Sequence, residues 1–451
     1  MGRRPFVVVV GGGLAGLSAG IEAADSGASV LLLEKRHRLG GATWSFERHG
    51  VWFDNGQHVF MRCCTAYQTF LRRIGSAGNV RIQPRLNVPV LAPDGRVGSI
   101  RRTLGPSPLH LTPSLLAYPH LTFHQRFAVL KAGFALRRLD PDDPTLDNVS
   151  FGDWLAEHKQ GETAIANFWN LIVLPTVNVP ADEASLKLAV KVFSTGLLSR
   201  ATAGDIGWAK VPLSVLHGDA ARNALQSAGG EIRTRSEVSR VGLGSQGDLE
   251  VRVDGQKLPA DAVVVAVQHD VVASLLPPES IKSQDRLDQL GISPIINVHL
   301  VYDRPVTDLK IAAGVGTEVQ FLFDRTEGAG LDDGSQCLAI SLSGAKSYMR
   351  HSSADLIAHF AAELTKLLPA AAEASMIESM VTRERAATFF GGPNTHNLRA
   401  DVASGIPGVY LAGAWTDTGW PATMEGAVRS GVKAGRFAVQ YASVGNAWDV
   451  R

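Results

Sequence analysis

At 451 residues the chain is long enough for more than one folding unit, or for one large two-part fold. Its 45% hydrophobic and 19% charged residues are those of an ordinary globular protein, and a net charge of +1 gives no general attraction for nucleic acid, so none is expected as a partner. Cys63, Cys64 and Cys337, two of them adjacent, make neither a disulfide framework nor a metal site, which suits a reducing cytoplasm. No stretch approaches the ~18 apolar residues of a membrane-spanning helix. Arg3-Arg4 precedes a run too short for a twin-arginine export signal.

The first element is the β-branched run Phe6 to Val10, expected as a strand buried on both faces. Gly11, Gly13 and Gly16 follow at G-x-G-x-x-G spacing. A helix is predicted from Leu14 to about Ser26, ended by Gly27. A second apolar run, Ser29 to Leu33, ends on Glu34. Strand, glycines, helix, strand and acid in this register predict a βαβ unit. Its first turn would let a pyrophosphate approach bare backbone at a helix N-terminus, with Glu34 accepting from a ribose hydroxyl.

Arg36, then Arg38-Leu39-Gly40-Gly41, is either backbone wrapped around the same ligand or a plain turn. Val51-Trp52-Phe53 predicts a strand leading into the polar corner Asp54-Asn55-Gly56-Gln57-His58, which could face a cofactor ring; a satisfied loop histidine is the plainer account of His58 alone. Thr65 to Ile74 predicts a helix. The segment from Arg96 to Arg138 then carries Arg96, Arg101, Arg102, Arg126, Lys131, Arg137 and Arg138 with no acid. Within it Phe123, Phe127, Leu130 and Phe134 fall on one helical face. This pattern fits either a helix lying on anionic lipid or a core-facing helix with solvated arginines.

Phe151 to about Val192 is predicted largely helical, with turns at Pro175 and Asn178-Val179-Pro180. A helix from Leu213 to Ala228 precedes paired strands from Ile232 to Val253 and a buried strand from Asp261 to Val267. Further strands are expected near 295–302, 319–323 and 337–342, and a helix from about Ala354 to Leu368. The last signal is GVYLAGAWTDTGWPATMEGAVRSGVKAGRFA, from Gly408 to Ala438. It predicts a strand, a glycine-rich loop and a helix opening near Ala422, with Gly426, Gly431 and Gly435 permitting close packing. A nucleotide fold at one end and a glycine-loop-to-helix at the other point to one long ligand spanning both. FAD has that length.

GGGLAGL, EKRHRLGG and AGAWTDTGWPATMEGAVRSG resemble the superfamily of FAD-dependent amine oxidases and carotenoid desaturases. Within it DNGQHV, CCTAYQTFLRRIG, FWNLIVLPTVNVPADEAS and TDTGWPATMEGAVRSG are most similar to hydroxysqualene dehydroxylases, also described as squalene-associated FAD-dependent desaturases. The resemblance implies an α/β fold: a Rossmann-like FAD-binding domain from residues 1–85, 205–275 and 390–445. Residues 86–204 and 276–389 would insert as a substrate domain of mixed sheet and helices. It implies that Gly11, Gly13 and Gly16 hold the pyrophosphate, Glu34 the ribose, and that Lys35 and Arg36 lie near the adenosine. Gly40, Gly41, Ala42, Gly56, Gln57 and His58 would follow the cofactor toward the flavin. Val238 would meet adenine, Gly413 and Asp417 the ribityl chain, and Thr423 and Met424 the isoalloxazine.

This chain departs from the pattern in two places. Ala42 stands where many relatives have an arginine, so a pyrophosphate charge must be met elsewhere, and Ala414-Trp415 replace an acid, leaving Asp417 as the nearest substitute. Thr423 occupies the place of an aromatic cage residue, which disfavours amine oxidation. The reaction implied is reductive removal of the hydroxyl of hydroxysqualene to give squalene in hopanoid synthesis, with hydride from reduced flavin N5 reaching an allylic cation. Asp54 or His58 is the expected proton donor to the leaving hydroxyl. A carotenoid-type desaturase is the alternative, and a non-catalytic flavin scaffold or a nicotinamide dehydrogenase fits less of the chain. An insoluble isoprenoid substrate also suggests peripheral attachment, through residues 96–138, to the inner face of the cytoplasmic membrane.

Overall fold

The computed structural model describes residues 3–448 except 246, 282 and 283, with side chains to residue 444. Val7, Val8 and Val9 are fully buried, as a strand covered on both faces requires. The strand Phe6–Val10 is the centre of a five-stranded parallel sheet. In spatial order its strands are Glu231–Thr234, Ser29–Glu34, Phe6–Val10, Ala262–Val265 and Val409–Leu411. Three distant pieces of chain thus complete one Rossmann-like sheet. The helix Leu14–Asp25 covers it, and the C-terminal helix Met424–Trp448 lies against that helix. A Cβ on Gly431 would stand 2.1 Å from the Ala15 carbonyl oxygen, and one on Gly435 2.6 Å from that of Ala19. The helix backbones meet there because glycine supplies no side chain.

A second, seven-stranded sheet is mixed. It takes Asn87–Leu91 and Val97–Arg101 from one stretch of chain and Ser293–Tyr302, Ile311–Gly314, Phe321–Asp324, Gln336–Ser343 and Met376–Thr388 from another. Strand alternation separates its faces. Ile296, Val298, Leu300, Leu338, Ile340 and Leu342 are fully buried against Leu356, Phe360 and Leu364 of the helix Ser353–Leu367. The other face carries Ile295, Asn297 and His299, with Ser341, Ser343, Thr382 and Glu384 beside them, and turns toward the nucleotide fold.

Most predicted elements are present, and several details differ. Glu231–Thr234 joins the parallel sheet beside Ser29–Glu34, and Val238–Leu243, Leu249–Val253 and Gln256–Ala260 form a separate antiparallel sheet. The helix predicted from Leu213 begins as a wide turn over Ser214–Asp219 before the α-helical Ala220–Ser227. The long strand Met376–Thr388 was not expected. It is a sheet edge, half-exposed along most of its length, and MIESMVTRERAAT has no apolar alternation to reveal it.

In the basic segment the helix Phe123–Leu136 is opened by a reciprocal cap between Thr122 and Gln125. It buries Val129, Ala132 and Leu136, and leaves Phe123, Phe127 and Phe134 exposed by 65%, 49% and 42%. The phenylalanine face therefore does not face the core. No helix among the described residues is long and apolar enough to cross a membrane.

Candidate active site

The glycine turn is shaped by backbone crowding. A Cβ on Gly16 would stand 1.9 Å from the Gly11 carbonyl oxygen, and Gly11 itself has φ +105°. Gly13 is different: a Cβ there would meet only Gly41 Cα, at 3.7 Å. Packing within the protein does not require glycine at that position, but close approach of a ligand would. Gly12 N donates to Glu34 Oε2 at 2.7 Å and Arg36 N to Glu34 Oε1 at 2.8 Å, so the buried carboxylate sets the turn and keeps spare lone pairs.

Gly40 N donates to the Gly12 carbonyl at 2.8 Å, and a Cβ on Gly41 would lie 2.7 Å from Gly13 Cα. Gly40-Gly41 is thus a backbone wall against the first turn, with φ +100° and +60°. The Arg38 guanidinium lies 3.8 Å over the Trp44 ring and donates to the Gly41 carbonyl at 3.2 Å. Burial, then Arg36, lowers its pKa to about 10, so it keeps its charge at neutral pH. A cation therefore stands beside the turn although residue 42 is alanine.

Lys35 and Arg36 are exposed at the end of the second strand. Ser236 N donates to the Glu34 carbonyl and Arg235 N to that of Arg36, both at 3.0 Å, which brings Val238 to the same end of the cleft. Across the fold, Gly413 N donates to Ser430 Oγ at 2.9 Å and the buried Arg399 holds the carbonyls of Ala414, Trp415 and Thr416. Asp417 Oδ1 accepts from Gly419 N at 3.2 Å and lies 3.7 Å from His396. Thr423 Oγ1 accepts from Gly426 N at 3.3 Å, so the threonine at the cage position caps the last helix. Met424 is half-buried at that helix start, where the first-turn amides have no partner within the helix itself. The next residue, Glu425, is buried and caps another helix, accepting from Ala66 N and Tyr67 N at 3.1 and 2.8 Å.

The polar corner engages both expected proton donors in bonds within the protein. Asp54 is 3% exposed and ion-paired with Arg325 at 2.5 Å, and it also accepts from Ser45 Oγ and Leu213 N. Every partner is a donor, so this carboxylate is a strap between the two halves of the molecule, engaged on both oxygens. His58 Nδ1 lies 2.8 Å from the Gly56 carbonyl, and burial lowers the ring's pKa. Its one proton at neutral pH is committed to that carbonyl, leaving Nε2 as an acceptor.

Beside this corner the open face of the seven-stranded sheet contributes residues that motif reading missed. Asn55 Nδ2 donates to the Ala42 carbonyl and to Glu384 Oε1, at 2.9 and 2.7 Å. Gln57 N donates to Asn297 Oδ1 at 3.1 Å, and a Cβ on Gly56 would lie 3.5 Å from Asn297 Nδ2 and 3.3 Å from His58 Cε1. Gln57 Oε1, Asn297 Nδ2, His299 Nε2 and Thr382 Oγ1 are buried without a hydrogen-bond partner. Burial lowers the His299 pKa to about 4, so it is neutral. The signal was present in SPIINVHLVY, where Asn297 and His299 interrupt an apolar run at period two.

A cavity of about 70 Å³ lies under the basic segment, walled by Leu115, Tyr118, Leu130, Phe134, Phe168 and Leu197, among others. Its lining is predominantly apolar.

A glycine turn, an acid at the next strand end and a second glycine loop leading into a helix define an FAD-binding oxidoreductase of the amine oxidase fold. The chain belongs to the flavin containing amine oxidoreductase family, whose model matches residues 14–436. It is 26% identical to a 15-cis-phytoene desaturase of Glycine max, covering 96% of this chain and 79% of that protein. It is 25% identical to a hydroxysqualene dehydroxylase of Zymomonas mobilis, covering 96% and 99%. Among solved structures, putrescine oxidase bound to putrescine superposes with a TM-score of 0.72 at 19% identity, over 96% of this chain and 98% of that one.

Proposed function

We propose that this flavoprotein reductively removes the hydroxyl of hydroxysqualene to give squalene in hopanoid synthesis. The observation that carries an isoprenoid substrate is the apolar cavity beneath an exposed aromatic and basic segment. The choice of hydroxysqualene rests on likeness to a dehydroxylase whose length the match spans almost entirely. Gly11, Gly13, Gly16, Glu34 and Val238 fit the nucleotide half of FAD, with Arg38 toward the pyrophosphate. Gly56, Gln57, Gly413 and Met424 fit the flavin half. When bound and reduced, FAD supplies a hydride from N5. That hydride would replace the hydroxyl on carbon, and the hydroxyl would leave as water with the proton that the fully reduced flavin also gives up.

The protein's own part is to exclude water, orient the chain and hold the hydroxyl. Phe123, Phe127 and Phe134, flanked by Arg126, Lys131 and Arg137, would seat the cavity mouth on anionic lipid at the inner face of the cytoplasmic membrane.

The second reading, a carotenoid-type desaturase, is favoured by the phytoene desaturase likeness and reverses the electron flow. Anaerobic photoreduction followed by hydroxysqualene separates the two. Reoxidation of the flavin with squalene formed supports the dehydroxylase. Flavin that stays reduced in folded, substrate-bound protein overturns it in favour of desaturation.

A further inference from the structure

We infer that Gln57, Asn297 and Thr382 form an alcohol-binding site that seats the substrate hydroxyl beside the Gly56 corner; this rests on the dehydroxylase reading above. A buried polar group without a partner is costly, on the order of 1–3 kcal/mol. Here three occur on adjoining residues. Asn297 is fully buried, is bonded through Oδ1 to Gln57 N, and stands opposite Thr382 in the sheet register. The Gln57 bond fixes which end of the Asn297 amide is the donor.

Their chemistry complements an alcohol. An alcohol has one proton to give and two lone pairs to fill. Gln57 Oε1 is an orphaned acceptor, Asn297 Nδ2 an orphaned donor, and Thr382 Oγ1 an orphaned hydroxyl able to donate. His299 Nε2, two residues along the same face, is a further unpartnered ring nitrogen, on a ring that burial keeps neutral. A ketone or a hydrocarbon would leave the Gln57 oxygen unsatisfied. None of these residues is charged, so the site binds the hydroxyl without attracting water-soluble ions, and amines gain no carboxylate partner from it.

The test is equilibrium binding to the oxidised holoenzyme, where no turnover occurs. Hydroxysqualene and squalene are titrated in detergent micelles against the flavin absorption band. The wild type is expected to prefer the alcohol by roughly 10-fold or more, since a site built for a hydroxyl rejects the analogue lacking it. Asn297→Leu and Thr382→Val are each expected to lose most of that preference while keeping flavin content and squalene affinity.

Variants that keep the full preference overturn the inference. Variants that lose flavin instead assign the cluster to the cofactor and also overturn it. A folded wild type that binds both lipids with no preference overturns it as well. A wild type that binds neither removes the substrate reading itself. Asn297→Asp, which retains an acceptor but loses the donor, separates hydrogen bonding from shape: restored preference there overturns the donor role.

Discussion

The two sheets of this molecule do opposite things with their faces. The five-stranded parallel sheet is apolar at its centre, in Phe6–Val10 and Ala262–Val265, and what surrounds its ligand cleft is main chain: Gly11, Gly13 and Gly16 on one side, Gly40 and Gly41 on the other. The seven-stranded sheet hides one face on the helix Ser353–Leu367 and presents Asn297, His299, Thr382 and Glu384 on the other. Cofactor recognition is thus written in the backbone, where a single glycine is decisive. In the proposed alcohol site, recognition is written in side chains brought together from remote strands.

The sharpest way to break that contrast is at the glycines. Gly16→Ala places a Cβ into the Gly11 carbonyl, so misfolding or complete loss of FAD is expected, measured by bound flavin and thermal melting. Gly13→Ala meets nothing closer than 3.7 Å, so the apoprotein should melt within a degree or so of wild type (~0.5 kcal/mol) while FAD affinity falls. A Gly13→Ala protein that purifies fully yellow would disprove the role of bare backbone there.

Next in size is the strap between the halves. Asp54→Asn leaves Arg325 buried without its counter-charge, costing about 3–5 kcal/mol in denaturant unfolding. Adding Arg325→Met should restore part of that loss. If Asp54→Asn instead left stability intact and abolished only turnover, Asp54 would be the proton donor that the polar corner first suggested.

The smallest effect on folding is expected on the surface. Phe123, Phe127 and Phe134 replaced together by Ser should leave the melting temperature nearly unchanged, because the helix buries Val129, Ala132 and Leu136 instead. Flotation with anionic liposomes should drop severalfold. Undiminished flotation of the folded variant would remove this segment from the membrane.

This division explains what could be seen in advance. The βαβ unit and the C-terminal glycine helix were legible because glycine spacing and apolar period are local, and backbone recognition has few solutions. The partner of Asp54 was not legible, since Arg325 is distant in sequence and an ion pair leaves no periodic trace. Likewise, Asn297 and His299 could be flagged as polar interruptions of a strand, but nothing in one strand says that Gln57 and Thr382 lie beside them. The fate of Thr423 shows a further limit. Its departure from an aromatic cage suggested what the site lacks, whereas its helix-capping role emerged only from the geometry.

The contact of Gly431 and Gly435 with Ala15 and Ala19 also bears on how the protein is made. A ribosome delivers the first βαβ unit long before the helix that seals it, so apolar surface on the helix Leu14–Asp25 waits for most of synthesis without its final neighbour. The same late helix brings Glu425 to cap the helix that starts at Thr65. These contacts can therefore form only once nearly the whole chain has been made, and the nascent chain is most exposed to chaperones and proteases in the interval before that.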